Sequence, residues 1–172
     1  LSGDTEYFYR VRAYNAGGNS GYSNEDSATT RPDPLVAPSN LTANTVSSSQ
    51  IDLAWNDNSS NEDGFKIERR TPSTPGFITI VTLPANQTSF ANTGLTGNSI
   101  YIYRVRAYNA FEHSGYSNIA RDTTLIAAPA APSDLIATAA TNTVVNLTWT
   151  DNAGNETGFR IERKRETDSS YT

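Results

Sequence analysis

The sequence predicts an all-β protein made of seven-stranded antiparallel β-sandwiches in tandem, and three observations support this. Short runs alternate between apolar and polar residues, turn residues separate the runs at regular intervals, and no segment has helical spacing. The third observation is a long repeat, because Tyr9–Ala16 and Tyr103–Ala110 both read YRVRAYNA. Residues 1–78 align with residues 95–172 without a gap, at 34 identities. An offset of 94 residues suits a whole domain and is too long for a solenoid unit.

Segments containing Pro and Ala place the boundaries of the repeat, because they precede Ala-Pro-Ser at 37–39 and again at 131–133. Linkers of this composition favour extended backbone of about 3.1 Å per residue, so we expect semi-rigid spacers between domains. Since the chain does not begin with Met, we also expect a processed chain or a segment of a longer one. The expected order is the C-terminal half of a domain (1–31), a linker (32–37), a complete domain (38–124), a linker (125–131) and the N-terminal half of a third domain (132–172).

The complete domain contains seven short runs with the pattern of strands. The runs at 50–55, 64–70 and 100–109 alternate apolar and polar residues, so one face of each of these strands is expected to enter the core, whereas 77–83 (FITIVTL) is a β-branched run. On the strand at 100–109 the expected inner residues are Tyr101, Tyr103, Val105 and Ala107, with Ile102 and the arginines outside. The predicted strands lie at 41–46, 50–55, 64–70, 77–83, 88–91, 100–109 and 116–124.

Composition excludes several functions. The chain has no Cys, so thiol nucleophiles, disulfides, zinc ribbons and iron–sulfur clusters are ruled out, and a single His argues against a histidine metal site. The formal net charge of −5 argues against binding to nucleic acid or to an anionic membrane. No apolar run approaches the roughly 20 residues that span a bilayer. We expect no cofactor, no metal, no nucleic acid partner and no membrane insertion.

The motifs of the repeat resemble the fibronectin type III family over nearly the whole chain. Leu95–Tyr101, followed by Arg104–Ala107, looks like that family's entry into strand F, and Leu1–Tyr7 with Arg10–Ala13 repeats it. The leading Pro-Ser-x-Leu and a Trp in the second strand match as well, and residues 55–69 are similar to a form common in bacterial extracellular proteins.

The resemblance implies scaffold roles for six residues. Tyr7 and Tyr101 would be corner tyrosines whose hydroxyl groups bond to the preceding loop, and Trp55 and Trp149 would fill the space between the sheets. Gly64 and Gly158 each follow an Asn- and Asp-rich loop, where a glycine allows an unusual backbone angle before the strand resumes.

Candidate functional residues lie in the loop between the last two strands. Phe111, Glu112 and His113 stand where the preceding unit has Gly17, Gly18 and Asn19. These three side chains are a possible ligand site or a contact with a neighbouring domain, since loops at sandwich ends carry recognition in this fold. His113 has no sequence motif for a catalytic triad beside it, so we expect no enzyme activity.

The cluster at 57–63 and the Asn-x-Ser/Thr sequences could suggest calcium binding and glycosylation, but we favour simpler interpretations of both. The cluster at 57–63 is rich in carboxylates and amides, like a calcium loop, but Glu62 stands where that loop needs Gly, so we expect a structural turn. Five Asn-x-Ser/Thr sequences could accept glycans in a eukaryotic or archaeal host, and we expect most to be unmodified. They begin at Asn40, Asn58, Asn86, Asn146 and Asn155.

The first functional hypothesis is a non-catalytic array forming a stalk, fibre or adhesin shaft of an extracellular or surface protein. Its partners would be neighbouring domains of the array, other copies of the chain in a fibre, and carbohydrate or a surface protein. The second hypothesis is a spacer or accessory module in a secreted polysaccharide-degrading enzyme. The third is ligand binding by the last loop. Head-to-tail completion of the two half domains by neighbouring chains is a variant of the first.

Overall fold

The computed structural model describes all 172 residues and contains only β-strands and connecting segments, which confirms the all-β prediction. The chain divides into two compact units, Leu1–Leu125 and Ile126–Thr172, which are described separately below. No helix in the structure is both long and apolar enough to cross a membrane.

The larger unit contains one complete sandwich of seven antiparallel strands. The strands are β5 (Ser39–Thr45), β6 (Gln50–Asn56), β7 (Gly64–Arg70), β8 (Ile78–Pro84), β9 (Ser89–Thr93), β10 (Ile100–Tyr108) and β11 (Ala120–Thr123). One sheet has three strands in the order β5–β6–β9, and the other has four in the order β11–β10–β7–β8. Two sheets of three and four antiparallel strands are typical of an immunoglobulin-like sandwich.

The core lies between these two sheets and follows from the alternation in the sequence. Three of its aromatic residues, Trp55, Phe65 and Tyr103, are among its largest buried side chains. Branched side chains from the two sheets fill the rest of the layer, as the period of two along a strand requires. The other buried core residues are Leu35, Leu41, Ile51, Leu53, Ile67, Leu95, Tyr101, Val105 and Ala107.

Shorter ladders flank the complete sandwich along the chain. In the first segment, β1 (Glu6–Tyr9) pairs with β4 (Asp26–Thr29), and β2 (Tyr14–Asn15) pairs with β3 (Gly18–Asn19). The second unit contains β12 (Ser133–Ala139) paired with β13 (Val145–Thr150). The segment 158–164, which repeats β7, forms no strand, because β7 is paired by β8 and β10 and residues 132–172 contain no counterpart of those strands.

Two details of the complete sandwich differ from the sequence-based prediction. The last strand was predicted at 116–124, but its backbone pairing covers only Ala120–Thr123. Before Ala120, serine hydroxyl groups take the place of backbone carbonyls as acceptors. Ser117 accepts the N–H of Val105 on β10, and Ser114 accepts that of Ala107. Ile102 was placed on the outer face of β10, yet it is buried. Its cross-strand neighbours there are Arg70 and Arg121, whose aliphatic stems suit such a position.

Candidate functional site

Two loops and the chain entering the sandwich meet at one end of the complete domain. The loop after β6 and the loop after β10 are joined by the Asp63 N–H, which donates to the Tyr108 carbonyl at 2.8 Å. The Asn109 amide also donates to the carbonyl of Asn61 at 3.3 Å. Both loops are rich in Asn, Asp and Ser, whose short polar side chains bond readily to nearby backbone. This end therefore presents many hydrogen-bonding groups to the segment 33–37.

Four side chains hold that entering segment, and we call them the linker clamp: Asn58, Ser59, Asn61 and Glu112. The two amides donate to the carbonyls of Ala37 and Asp33, at 2.8 and 2.5 Å respectively. The Ser59 hydroxyl contacts both polar backbone groups of Val36, and Glu112 Oε1 accepts the Leu35 N–H at 2.9 Å.

Leu35 adds an apolar anchor to the linker clamp. It lies in the segment 32–37, which was expected to be a linker, yet its side chain is buried in the core of the sandwich. Burying a leucine side chain contributes about 1.5–3 kcal/mol, and the backbone around it is hydrogen-bonded instead of solvated. The segment therefore lies on the domain as part of its structure.

Part of the linker clamp recurs in the second unit at the same offset of 94 residues. Asn152 donates to the carbonyl of Ala131 at 2.9 Å, and Asn155 donates to the carbonyl of Ala127 at 2.7 Å. These contacts repeat those of Asn58 and Asn61. Two of the five Asn-x-Ser/Thr sequences, at Asn58 and Asn155, thus have their side-chain amides engaged with backbone carbonyls.

The three candidate residues of the last loop have three different surroundings. Glu112 is part of the linker clamp, whereas the Phe111 side chain is 64% exposed. Phe111 lines a cleft together with Gly3 and Asp4 of the first segment and with Asp33, so its ring lies where the preceding segment meets the complete sandwich. His113 lies further along the loop, on the outer side of the β10 sheet, and the three do not form one site.

His113 lies beside two cationic side chains, Lys66 and Arg106. Its Nε2 lies 2.9 Å from the Lys66 ammonium, and its ring lies 6.3 Å from that of Tyr108. Partial burial and the nearby charges of Arg106 and Lys66 lower the pKa of His113 below its usual value. The imidazole is therefore mostly neutral at pH 7, and its Nε2 accepts a hydrogen bond from Lys66.

The outer face of the β10 sheet carries a row of alternating cations and aromatic rings around one carboxylate. Glu68 is buried and binds Arg104 at 2.6 Å and Arg106 at 3.1 Å, and it accepts the Tyr116 hydroxyl at 3.1 Å. The Arg104 guanidinium lies between two rings, 3.6 Å from the centroid of Tyr116 and 4.2 Å from that of Phe77. Such contacts stabilise a guanidinium by about 0.5–1 kcal/mol at exposed sites.

The Asp- and Asn-rich loop contains a close pair of carboxyl groups. Glu62 is buried, its Oε1 accepts the Asn86 N–H at 3.2 Å, and its Oε2 has no partner. Burial raises the pKa of Asp57, and the neighbouring Glu62 raises it further, although the Ser59 N–H works in the opposite direction. No group of three or more His, Cys, Asp or Glu side chains is arranged to hold a metal ion.

Tyr7 and Tyr101 make the same contact in successive repeats. The hydroxyl of Tyr101 accepts the Thr96 N–H at 2.9 Å, and that of Tyr7 accepts the Ser2 N–H at 2.7 Å. Each bond links a ring on the strand to the backbone of the loop that precedes it.

The tryptophans and glycines differ between the repeats. Trp55 is buried and its ring lies 5.7 Å from that of Phe65, whereas Trp149 is half-buried and 5.2 Å from Phe159. At Gly64 a Cβ atom would collide with the carbonyl oxygen of Leu83 on β8, while a Cβ atom at Gly158 would meet nothing within 4 Å.

Sequence reasoning missed two groups of residues that organise the domain. The linker clamp amides were assigned only to local turns, although Asn58 and Asn61 recur as Asn152 and Asn155. Thr124 was also missed: its buried hydroxyl donates to the Thr96 carbonyl at 2.7 Å and accepts the Ser99 N–H at 3.0 Å. Recurrence at an offset of 94 was the available signal for both.

Comparison with known proteins agrees with the β-sandwich architecture described above. A family model described as "Fibronectin type III domain" matches residues 36–122. The chain is 31% identical over 167 residues to Contactin-3 of Rattus norvegicus, covering 90% of this chain and 16% of that protein. It is also 31% identical over 177 residues to Exoglucanase B of Cellulomonas fimi, covering 92% of this chain and 15% of that protein. The chain thus spans about a sixth of the length of these relatives.

Among solved structures, the FN1–FN3 domains of chicken CNTN1 match with a TM-score of 0.53 at 21% identity, covering 73% of this chain and 42% of that one. Domains A168–A170 of titin match with a TM-score of 0.52 at 22% identity, covering 69% of this chain and 40% of that one. At this level of identity the likeness shows a shared fold.

Proposed function

Because the chain belongs to the fibronectin type III family, we propose that it is a non-catalytic segment of a tandem array, forming the shaft of a stalk, fibre or adhesin. Its place would be on the cell surface or in a secreted protein. The proposed domain order is a half domain at 1–31, a complete domain at 38–124 and a half domain at 132–172, joined by residues 32–37 and 125–131.

The linker clamp is the observation that carries this proposal. A shaft stays extended and transmits force only if the linkers between its domains are stiffer than a free peptide. A free peptide of six residues samples many conformations and would not meet this requirement. Here the segment 33–37 is held by Asn58, Ser59, Asn61 and Glu112 and is anchored by Leu35. Ordering of the same kind recurs at Asn152 and Asn155. The same ordering of the chain before the complete sandwich and before β12 of the second unit supports an extended, semi-rigid array.

Backbone relaxation of the 15N-labelled chain tests the proposal. We expect N–H order parameters for Asp33, Leu35, Val36 and Ala37 close to those of β6 and β10, about 0.85. The double variant Asn58→Ala/Asn61→Ala should lower them, whereas Asn44→Ala, which removes an exposed amide from β5, should leave them unchanged. Order parameters below about 0.6 for residues 33–37 in the unaltered chain would contradict a stiff joint.

A second candidate is a spacer within a secreted polysaccharide-degrading enzyme, and two relatives favour it by name. Besides the exoglucanase, an Alpha-amylase of Niallia circulans is 36% identical over 92 residues, covering 52% of this chain and 6% of that protein. The flanking sequence of the gene distinguishes the two candidates. A catalytic domain on the same chain would support the spacer, whereas many further units of 94 residues with a surface anchor would support the shaft.

The exposed ring of Phe111 favours a third candidate, ligand recognition by the last loop. Aromatic rings at the ends of sandwiches are common binding groups. Binding on a glycan array that is lost in Phe111→Ala but kept in Tyr108→Phe would support it. Equal binding by both variants would contradict ligand recognition through Phe111.

A further inference from the structure

Two neighbouring edge strands of the complete sandwich lie in a stretch of sequence that carries no charge. Residues 71–103 contain no Asp, Glu, Lys, Arg or His. Charged residues make up 18% of the chain, so a stretch of this length would be expected to carry about six. The stretch includes the whole of β8 and β9. We call the side of the sandwich formed by these two strands the neutral side.

The neutral side is also the open side of the sandwich. β8 and β9 end their sheets there, and β11 and β5 end them on the opposite side. The opposite side is closed by side chains. The Thr45 N–H donates to Asp122 Oδ2 at 2.7 Å, and the Asn118 amide accepts the Leu41 N–H and donates to the Leu41 carbonyl. No hydrogen bond joins β8 to β9, so the outer backbone edges of both strands are free.

β8 lacks the charges that usually protect an exposed edge strand. Natural sheets place Lys, Pro or a bulge at their edges, because a free edge pairs readily with another chain. β8 reads ITIVTLP, and the side chain of Ile78 is 63% exposed, whereas β11 reads ARDT and carries two charges. Two weaker protections are present: Pro84 ends β8, and Ile80 forms a bulge against β7. They shorten the free edge without covering it.

We propose that the neutral side is a lateral interface with a second copy of this chain, in which the two β8 edges pair antiparallel about a twofold axis. Two chains of net charge −5 repel each other, so they associate most readily where neither carries charge. A twofold axis places the same patch of both copies in contact, so one neutral side meets another. The nearest charged strand is β7, and the two β7 strands would lie three strand spacings apart. That distance is about 14 Å, beyond the Debye length of about 8 Å at physiological salt.

The pairing through β8 should be weak and reversible. Pro84 has no N–H and the bulge at Ile80 interrupts the ladder, so only a few backbone hydrogen bonds can form between the two copies. Interfaces of this small size are typical of transient complexes. In the tandem array proposed above, several such contacts between two chains would act together and gain avidity. Each contact uses a single sandwich and no linker, so it is tested independently of the proposed shaft.

Sedimentation equilibrium of the full chain, from about 10 μM to about 1 mM, tests the proposal. We expect a reversible monomer–dimer equilibrium, with slower amide exchange on β8 at the higher concentration. The double variant Thr79→Lys/Thr82→Lys puts two charges on exposed positions of β8 and brings like charges together across the twofold axis. The dissociation constant should therefore rise at least about tenfold. The control Thr42→Lys/Asn44→Lys makes the same change in net charge on exposed positions of β5 and should change the constant less than about twofold.

Three results would overturn the proposal: a monomer at every concentration, equal association by the β8 variant and its control, or slower amide exchange on β11 instead of β8. Equal association would point to another contact, such as the apolar groove of the second unit that is lined by Leu135, Trp149 and Phe159. Melting temperatures of both variants check the fold. Should the double variant unfold, the single variant Thr82→Lys takes its place, because Thr82 is exposed on the same strand.

Discussion

The side-chain amide of Asn61 donates to the main-chain carbonyl of Asp33, and its counterpart Asn155 donates in the same way to Ala127. The residue that supplies the carbonyl changes from Asp to Ala between the repeats. A main-chain carbonyl is present whatever the side chain, so this contact tolerates variation in the segment that it orders. The amide on the loop determines the contact, and the linker sequence is free to change.

Glu112→Ala should increase the exchange rate of the Leu35 amide proton by about tenfold. That N–H donates to the Glu112 carboxylate, and a hydrogen bond to a charged group contributes roughly 1.5–3 kcal/mol, less where it is exposed to solvent. Hydrogen exchange followed by NMR measures the rate. Phe111→Ala, next to it on the same loop, is the control and should leave the exchange of Leu35 unchanged. Equal protection in both variants would mean that Glu112 does not hold the linker.

Trp55→Ala should lower the free energy of unfolding by about 3–5 kcal/mol, because it leaves a large cavity between the two sheets of the complete sandwich. The matched change Trp149→Ala should cost clearly less, since Trp149 is half-buried in a two-stranded segment. Urea unfolding, followed by circular dichroism, compares the two variants. A larger loss in Trp149→Ala would contradict the placement of the core.

Gly64→Ala should destabilise the complete sandwich by about 1–3 kcal/mol, the usual range for overpacking. The added methyl group would collide with the Leu83 carbonyl oxygen and separate β7 from β8. Gly158→Ala adds the same group at the equivalent position, where nothing lies within 4 Å. Thermal unfolding of the two variants should therefore show the larger shift for Gly64→Ala, and similar shifts would contradict the steric explanation.

Asp57→Asn should make the domain more stable at pH 7 and remove part of its pH dependence. Burial raises the pKa of Asp57, with Glu62 adding to the effect against the Ser59 N–H. The folded state therefore holds a proton that the unfolded state has released, so stability falls as pH rises from about 4 through the folded pKa. Asparagine keeps an oxygen for the Ser59 N–H. Urea titrations between pH 3 and pH 7 measure the slope, and lower stability of Asp57→Asn at pH 7 would contradict the assignment.

In the same urea titrations, Asp122→Asn should change the stability at pH 7 in the opposite direction to Asp57→Asn. Burial would raise the pKa of Asp122, but hydrogen bonds from Thr123 and Thr45 outweigh it and lower the pKa. The stability from this carboxylate is present above a pH of about 4 and is lost as pH falls through the folded pKa. The variant should therefore be less stable than the unaltered chain at pH 7, and the difference should shrink toward pH 3.

The strand positions show what local sequence predicts well. β6 and β7 lie within a residue of their predicted bounds, because the alternation of apolar and polar residues along each strand marks its core face. The strand predicted at 116–124 is shortened because serine hydroxyl groups, and not only backbone carbonyls, accept the N–H groups of β10. Composition and alternation contain no signal for such a replacement.

The sequence by itself determined the fold class, the family resemblance and the 94-residue repeat, because these depend on patterns between near neighbours and on direct comparison of segments. Tertiary structure decided which of two identical tryptophans is buried and where the amides of Asn58 and Asn61 donate. It also placed the cations Lys66 of β7 and Arg106 of β10 opposite each other, with the imidazole of His113 beside Lys66. Residues distant in sequence become neighbours only through the order of strands in the sheet, so this concentration of charge is invisible in a chain whose net charge is negative.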